Sequence, residues 1–194
     1  SIDFNHLPIP YACVAEDIAT GTEVVFHSGK LATAMRASMA IPGVFTPVRL
    51  NNMVLVDGGT VNNYPVDVAK EMGADIIIGV DLAQGKKSYL EVNNIADIAT
   101  QTIDMLGRDT YENNILVPDV TIKPYLPEFS SLSFNSQAVD TIMARGWQAA
   151  LAQDSLLRVI AQKTRTATPI SKSPKAFDFH ADSLLISEID VKGV

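Results

Sequence analysis

The sequence predicts an α/β fold, and three observations carry the prediction. Ile76-Ile77-Ile78 with Val80, inside Asp75 to Leu82, is an apolar run of strand length that suits a strand covered on both faces. Helical spacing recurs on both sides of it, at Leu31, Ala34, Met35 and Ser38, at Ile95, Ile98, Thr102 and Met105, and at Val139, Ile142, Met143, Gly146 and Ala150. Short β-prone runs separated by turn residues come first.

In chain order, Tyr11 to Asp17 and Thr22 to Phe26 flank the turn-rich Ile18-Ala19-Thr20-Gly21 and read as paired strands. Lys30 to Met39 reads as a helix stopped by Pro42-Gly43. Val48 to Leu50 and Met53 to Val56 flank Asn51-Asn52, residues that tolerate positive φ, so a second hairpin is expected, ending in Asp57-Gly58-Gly59. A short helix follows Asn62-Asn63-Tyr64-Pro65, with Gly73 placed to end it. Asp75 to Leu82 is the next strand, Asn94 to about Asn114 a helix, and Asp119 to Lys123 a further strand. The segment Pro124 to Phe134 reads as an irregular cover exposing Leu126, Phe129, Leu132 and Phe134. One long helix is expected from about Ser136 to Arg165, with Trp147 in the core. Residues 166–182 have linker composition, and 183–194 read as the start of another strand.

Composition narrows the function. The 194 residues carry 15 basic and 22 acidic side chains, a net charge of −7, with 47% hydrophobic residues. That balance argues against nucleic acid, whose phosphates require basic surface. Cys13 is the single cysteine, so no intrachain disulfide forms and no cysteine cluster holds zinc. His6, His27 and His180 have no metal-ligand spacing, and a Ser-His-Asp triad is unsupported. Neither a phosphate-binding P-loop nor a dinucleotide fingerprint is present.

Asp57-Gly58-Gly59 alone, between a strand and a helix, is more often a turn than a site. Its surroundings change that reading. Arg36-Ala37-Ser38-Met39-Ala40-Ile41-Pro42-Gly43-Val44-Phe45-Thr46-Pro47, then Leu55-Val56-Asp57-Gly58-Gly59 and Asn62-Asn63-Tyr64-Pro65, closely resembles the second half of the patatin-like phospholipase domain. Ala15 to Gly21 and Gly73 to Leu82 extend the likeness, to about residues 7 to 160. The resemblance implies the C-terminal part of a three-layer α/β/α hydrolase domain with a central, mostly parallel sheet, spanning residues 1–165. It implies a Ser-Asp dyad acting on lipid or other acyl esters, with Asp57 as base and no metal or cofactor. Gly58, Gly59, Ser38 and Pro42 are then the residues expected to shape the substrate site.

No Gly-x-Ser-x-Gly elbow occurs in the chain, so the nucleophile is expected upstream of Ser1, and these residues alone are expected to be inactive. A carboxylate serving as base without histidine must be partly desolvated, which predicts a raised Asp57 pKa. Leu184 to Gly193 resembles the first strand of a POTRA module, which implies a bacterial parent at the cell envelope, in the periplasm or outer membrane, with a cytoplasmic location left open. The expected partners are an acyl-ester substrate and further copies of the chain through an exposed sheet edge; the apolar Pro42-Gly43-Val44-Phe45 and the Leu126 to Phe134 loop are more simply ordinary loop packing, with contact to acyl chains or a membrane surface as the second reading. The alternative reading is a non-enzymatic envelope interaction or assembly module that keeps the hydrolase scaffold.

Overall fold

The computed structural model describes residues 1–84, 105–129 and 133–165. Its main sheet has four strands in the order β3 (Thr22–Phe26), β2 (Cys13–Asp17), β6 (Met53–Asp57) and β5 (Val48–Leu50), with every neighbouring pair antiparallel. Ahead of it, β1 (Ile2–Asp3) pairs with β4 (Ser28–Gly29), and a 3-10 turn at Phe4–His6 buries Phe4 against Cys13 and Ala34.

Both expected hairpins form, each for a local reason. Asn51 and Asn52 take φ of 49° and 63°, the pair of left-handed residues that a two-residue turn needs to follow the strand twist. The β2–β3 turn closes through Gly21 at φ 70° and through Asp17. The Asp17 carboxylate accepts from the backbone N–H of Val54 at 2.9 Å and of Ala19 at 3.3 Å, and from Thr20 Oγ1 at 2.9 Å. One side chain thereby fastens the first hairpin to β6. Helix α1 (Leu31–Ser38) lies on this sheet with Ala34 and Ala37 buried, small residues that let it close on Ala15 and Leu55. Met35, expected on that face, is half exposed.

Helix α2 (Val66–Glu71) starts after Pro65 and is followed by Gly73 at φ 89°. Strand β7 (Ile78–Val80) pairs in parallel with β8 (Val120–Ile122), and α3 (Arg108–Asn114) lies between them in sequence. Tyr64, Val66 and Ile77 form the core here with Tyr111 and Val117. A Cβ at Gly79 would collide with the Tyr64 hydroxyl, so glycine is what lets that ring cross β7.

The mixed α/β class holds, with corrections of detail. Among the described strands, parallel pairing is confined to β7 and β8: the β2–β3 and β5–β6 hairpins force antiparallel pairs, and β2 and β6, distant in sequence, also meet antiparallel. Strand β7 is shorter than the apolar run, and Ile78 and Val80 are exposed rather than covered on both faces. The expected long helix is two, α4 (Ser136–Leu151) and α5 (Asp154–Arg165), interrupted at Ala152-Gln153 where Asp154 and Ser155 favour a fresh helix start. Trp147 is 66% exposed, not core. In the 124–134 loop Leu126 is buried, Phe129 lies under the Arg145 guanidinium at 5.4 Å, and Phe134 is exposed. Most of the expected 94–114 helix, the 166–182 linker, the 183–194 strand and His180 lie outside the described residues.

Candidate active site

Strand β6 delivers Asp57 at its last position, opposite Ala15 of β2. The backbone N–H of Asp57 donates to the Ala40 carbonyl at 3.1 Å, so the loop after α1 is docked on the strand end. Asp57 is half-buried, and Oδ1 accepts the Gly59 N–H at 2.8 Å. Burial pushes its carboxyl above the ordinary carboxylate range, opposed by the Gly59 hydrogen bond.

The residues after Asp57 make a 3-10 turn, Gly58–Thr60, that is held from two sides. Gly58 is buried, and a Cβ there would collide with the Val14 carbonyl group. The backbone that approaches Gly58 is therefore that of β2. At Gly59 a Cβ would meet Asn63 Oδ1 at 2.9 Å and Asp57 Oδ1 at 3.1 Å. Thr60 Oγ1 bonds to the Asp57 carbonyl oxygen at 2.8 Å and also makes a short hydrogen bond with the buried Glu16 carboxylate. Beyond the turn, the Asn62 amide donates to Glu23 and Asp67, and the Asn114 amide donates to the Tyr64 carbonyl at 2.9 Å and to Asp67 at 2.8 Å. A buried polar network thus ties α3 and α2 to the segment that follows the site.

Of the expected site residues, Asp57, Gly58 and Gly59 are contiguous at the end of β6. Ser38 is the last residue of α1 rather than mid-helix, and its hydroxyl meets the buried Cys13 thiol. Burial raises that thiol's pKa, with hydrogen bonds from Tyr11 and Ser38 acting against the rise. Pro42 sits in the turn after Ala40, where Gly43 takes φ 80°. The same loop is pinned by Arg36, which donates to the Thr46 carbonyl at 2.8 Å and lies 5.4 Å over the Phe45 ring. A concavity lined by residues 49–54 surrounds the Asn51-Asn52 turn, at the opposite end of β6 from Asp57.

Sequence reading did not single out Glu16, Thr60, Gly107 or the partners of Asp81; Asp81 itself closes a strand as Asp57 does, which predicts that it caps the next loop or lines a crevice at the strand ends. Glu16 and Asp17 are buried acids in a strand whose five residues are all buried, and two carboxylates in such a run are the signal that could have marked them. Asp81 is 1% exposed; Oδ1 accepts the Ala83 N–H at 2.9 Å, and Oδ2 accepts from Tyr111 Oη at 2.8 Å and Lys123 Nζ at 2.5 Å. Desolvation, then the Asp81 carboxylate, raises the Tyr111 hydroxyl pKa; burial pulls that of the Lys123 ammonium down, but Asp81 and Tyr111 together raise it. Of the histidines, His6 pairs with Asp3 at 3.1 Å on the surface.

A half-buried carboxylate at a strand end, next to a glycine turn on a mixed α/β scaffold, defines a candidate general-base site. A family model covers the same residues. Residues 3–70 match the family model described as patatin-like phospholipase. An uncharacterised NTE family protein of Mycobacterium bovis is 41% identical over 81 residues, 42% of this chain and 22% of that protein. A second NTE family protein of that organism is 39% identical over 78 residues, 40% of this chain and 13% of the relative. Patatin-like phospholipase domain-containing protein 7 of Mus musculus is 34% identical over 91 residues, 46% of this chain and 7% of that protein. The stretch that matches the patatin-like phospholipase model holds Asp57 and its turn. The matches span less than a quarter of the length of these relatives.

Proposed function

We propose that the chain is the base-bearing part of a serine hydrolase that cleaves acyl esters of lipids, with Asp57 as base and a nucleophilic serine supplied by sequence preceding Ser1. The observation that carries this reading is the Asp57 carboxyl itself, half-buried and pushed up by desolvation against a hydrogen bond from the Gly59 N–H to Oδ1. The second carboxylate oxygen is the one available to a serine hydroxyl. In the first step Asp57 takes the serine proton as Oγ attacks the ester carbonyl, and the proton then passes to the leaving alcohol as the acyl-enzyme forms. Water, deprotonated by Asp57, releases the acid and returns the proton to the serine. A raised pKa strengthens the carboxylate as a base toward both.

The test uses the intact protein with a p-nitrophenyl ester. Asp57→Asn should lower kcat by about 10²–10⁴-fold, the range for losing a general base. The 194 residues alone should give no turnover. Full activity in Asp57→Asn, or substantial turnover by these residues alone, overturns the reading. Membrane contact through the exposed Val44 and Phe45, and an envelope location resting on the POTRA-like segment, belong to the same proposal. Flotation with phosphatidylcholine vesicles and fractionation of the producing cell test them.

A further inference from the structure

The turn that holds Asp57 is itself held by α3, an element distant in sequence. Gly107, buried at the N-cap of α3, sits so close that a Cβ would crowd its neighbours, 3.2 Å from both the carbonyl carbon and oxygen of Val61 and 3.4 Å from the Gly59 carbonyl oxygen. Val61 and Asn62 in turn donate to the Gly58 carbonyl at 3.0 and 2.8 Å, closing the 3-10 turn. One helical turn beyond Gly107, Tyr111 donates to the fully buried Asp81, which Lys123 also engages, and its ring packs 6.1 Å from that of Tyr64. The helix is therefore anchored at Tyr111 and presses on the site at Gly107.

We propose that Gly107 is a positioning residue for Asp57: its bare Cα seats α3 against the Val61 and Gly59 backbone and so fixes the Gly59 N–H that holds Oδ1. The Asp81–Tyr111–Lys123 cluster is the anchor that keeps the helix in place. The proposal rests on the catalytic reading only for its effect on rate; its geometric part stands apart from it.

The experiment titrates Asp57 by ¹³C NMR of the aspartate-labelled intact protein, follows the Gly59 amide resonance, and measures ester turnover. In Gly107→Ala the added methyl must push the turn, so the Gly59 resonance moves, Asp57 titrates at higher pH as its donor weakens, and kcat falls by up to about 100-fold with KM little changed. Tyr111→Phe, which removes one hydroxyl and keeps the ring, should move the same two resonances in the same direction by less. Gly146→Ala, where a Cβ meets nothing within 4 Å, should move neither. Unmoved Gly59 and Asp57 signals in a folded Gly107→Ala or Tyr111→Phe protein overturn the proposal, whatever the turnover. Moved signals in a protein whose wild type hydrolyses no ester sustain the coupling and sink only the catalytic reading.

Discussion

At the scale of single residues, two strand-ending aspartates of one sheet show how environment divides identical side chains. Asp17 accepts from Val54, Thr20 and Ala19, and the Val54 N–H above all holds its carboxyl below the usual range. Asp57, half-buried, accepts one N–H bond from Gly59, and desolvation outweighs that bond and pushes its carboxyl the other way. Their contributions to stability therefore have opposite pH dependence. A raised carboxyl binds its proton more tightly folded than unfolded, so it costs stability once pH exceeds its folded pKa. Asp57→Asn, whose Oδ1 can still accept from Gly59, should raise the melting temperature at pH 7–8, with the gain fading as pH falls into the carboxylate range. For Asp17 the depressed carboxyl contributes stability above about pH 3.9, and that contribution is lost as pH falls through its lower folded value. Asp17→Asn should lower the urea midpoint at neutral pH and converge with the wild type in acid. Urea titrations across pH decide both, and a uniform offset at every pH contradicts the assignment. Asp57 was legible from its motif; Asp17 was not, since its partner Val54 is 37 residues away.

Elements whose causes are local were readable. The Asn51-Asn52 turn follows from residues that tolerate positive φ, and α1 from the spacing of Leu31 and Ala34. What escaped was decided by neighbours: periodicity continues through Ala152-Gln153 although the helix does not, and Trp147 has the spacing of a core residue yet is exposed among the described residues. The same holds for glycine. Gly58→Ala would drive a Cβ into the Val14 carbonyl, pushing apart the end of β6 and β2, while Gly146→Ala fills open space on α4. The first should cost about 3 kcal/mol, the upper part of the overpacking range, or a fall of about 6–12 °C in melting temperature. The second should gain about 0.5–1 kcal/mol from helix propensity. Calorimetry on the pair tests the two signs, and a neutral Gly58→Ala would mean that β2 can move away from the turn at little cost.

For the whole molecule, the contacts that build the site join segments far apart in sequence: Glu16 with Thr60, Asp81 with Tyr111 and Lys123, Gly107 with Val61. No periodicity encodes such meetings, which is why the motif pointed to the candidate site and not to the contacts that support it. Surface balance is another property of the whole. Val139, Met143, Trp147 and Leu151 recur at four-residue spacing on α4 and are 38%, 68%, 66% and 48% exposed, while β3 and β5 form the two edges of the main sheet. Against this apolar stripe stands a net charge of −7, which keeps copies apart until salt screens it. Self-association of the 194-residue chain should accordingly increase with concentration and with ionic strength. Trp147→Gln should reduce it while leaving stability within about 0.5 kcal/mol, because the ring has little packing to lose. Light scattering at low and high salt makes the measurement. Association that weakens with salt would assign it to charge pairing, and association unchanged by Trp147→Gln would move it from the helix to the sheet edges.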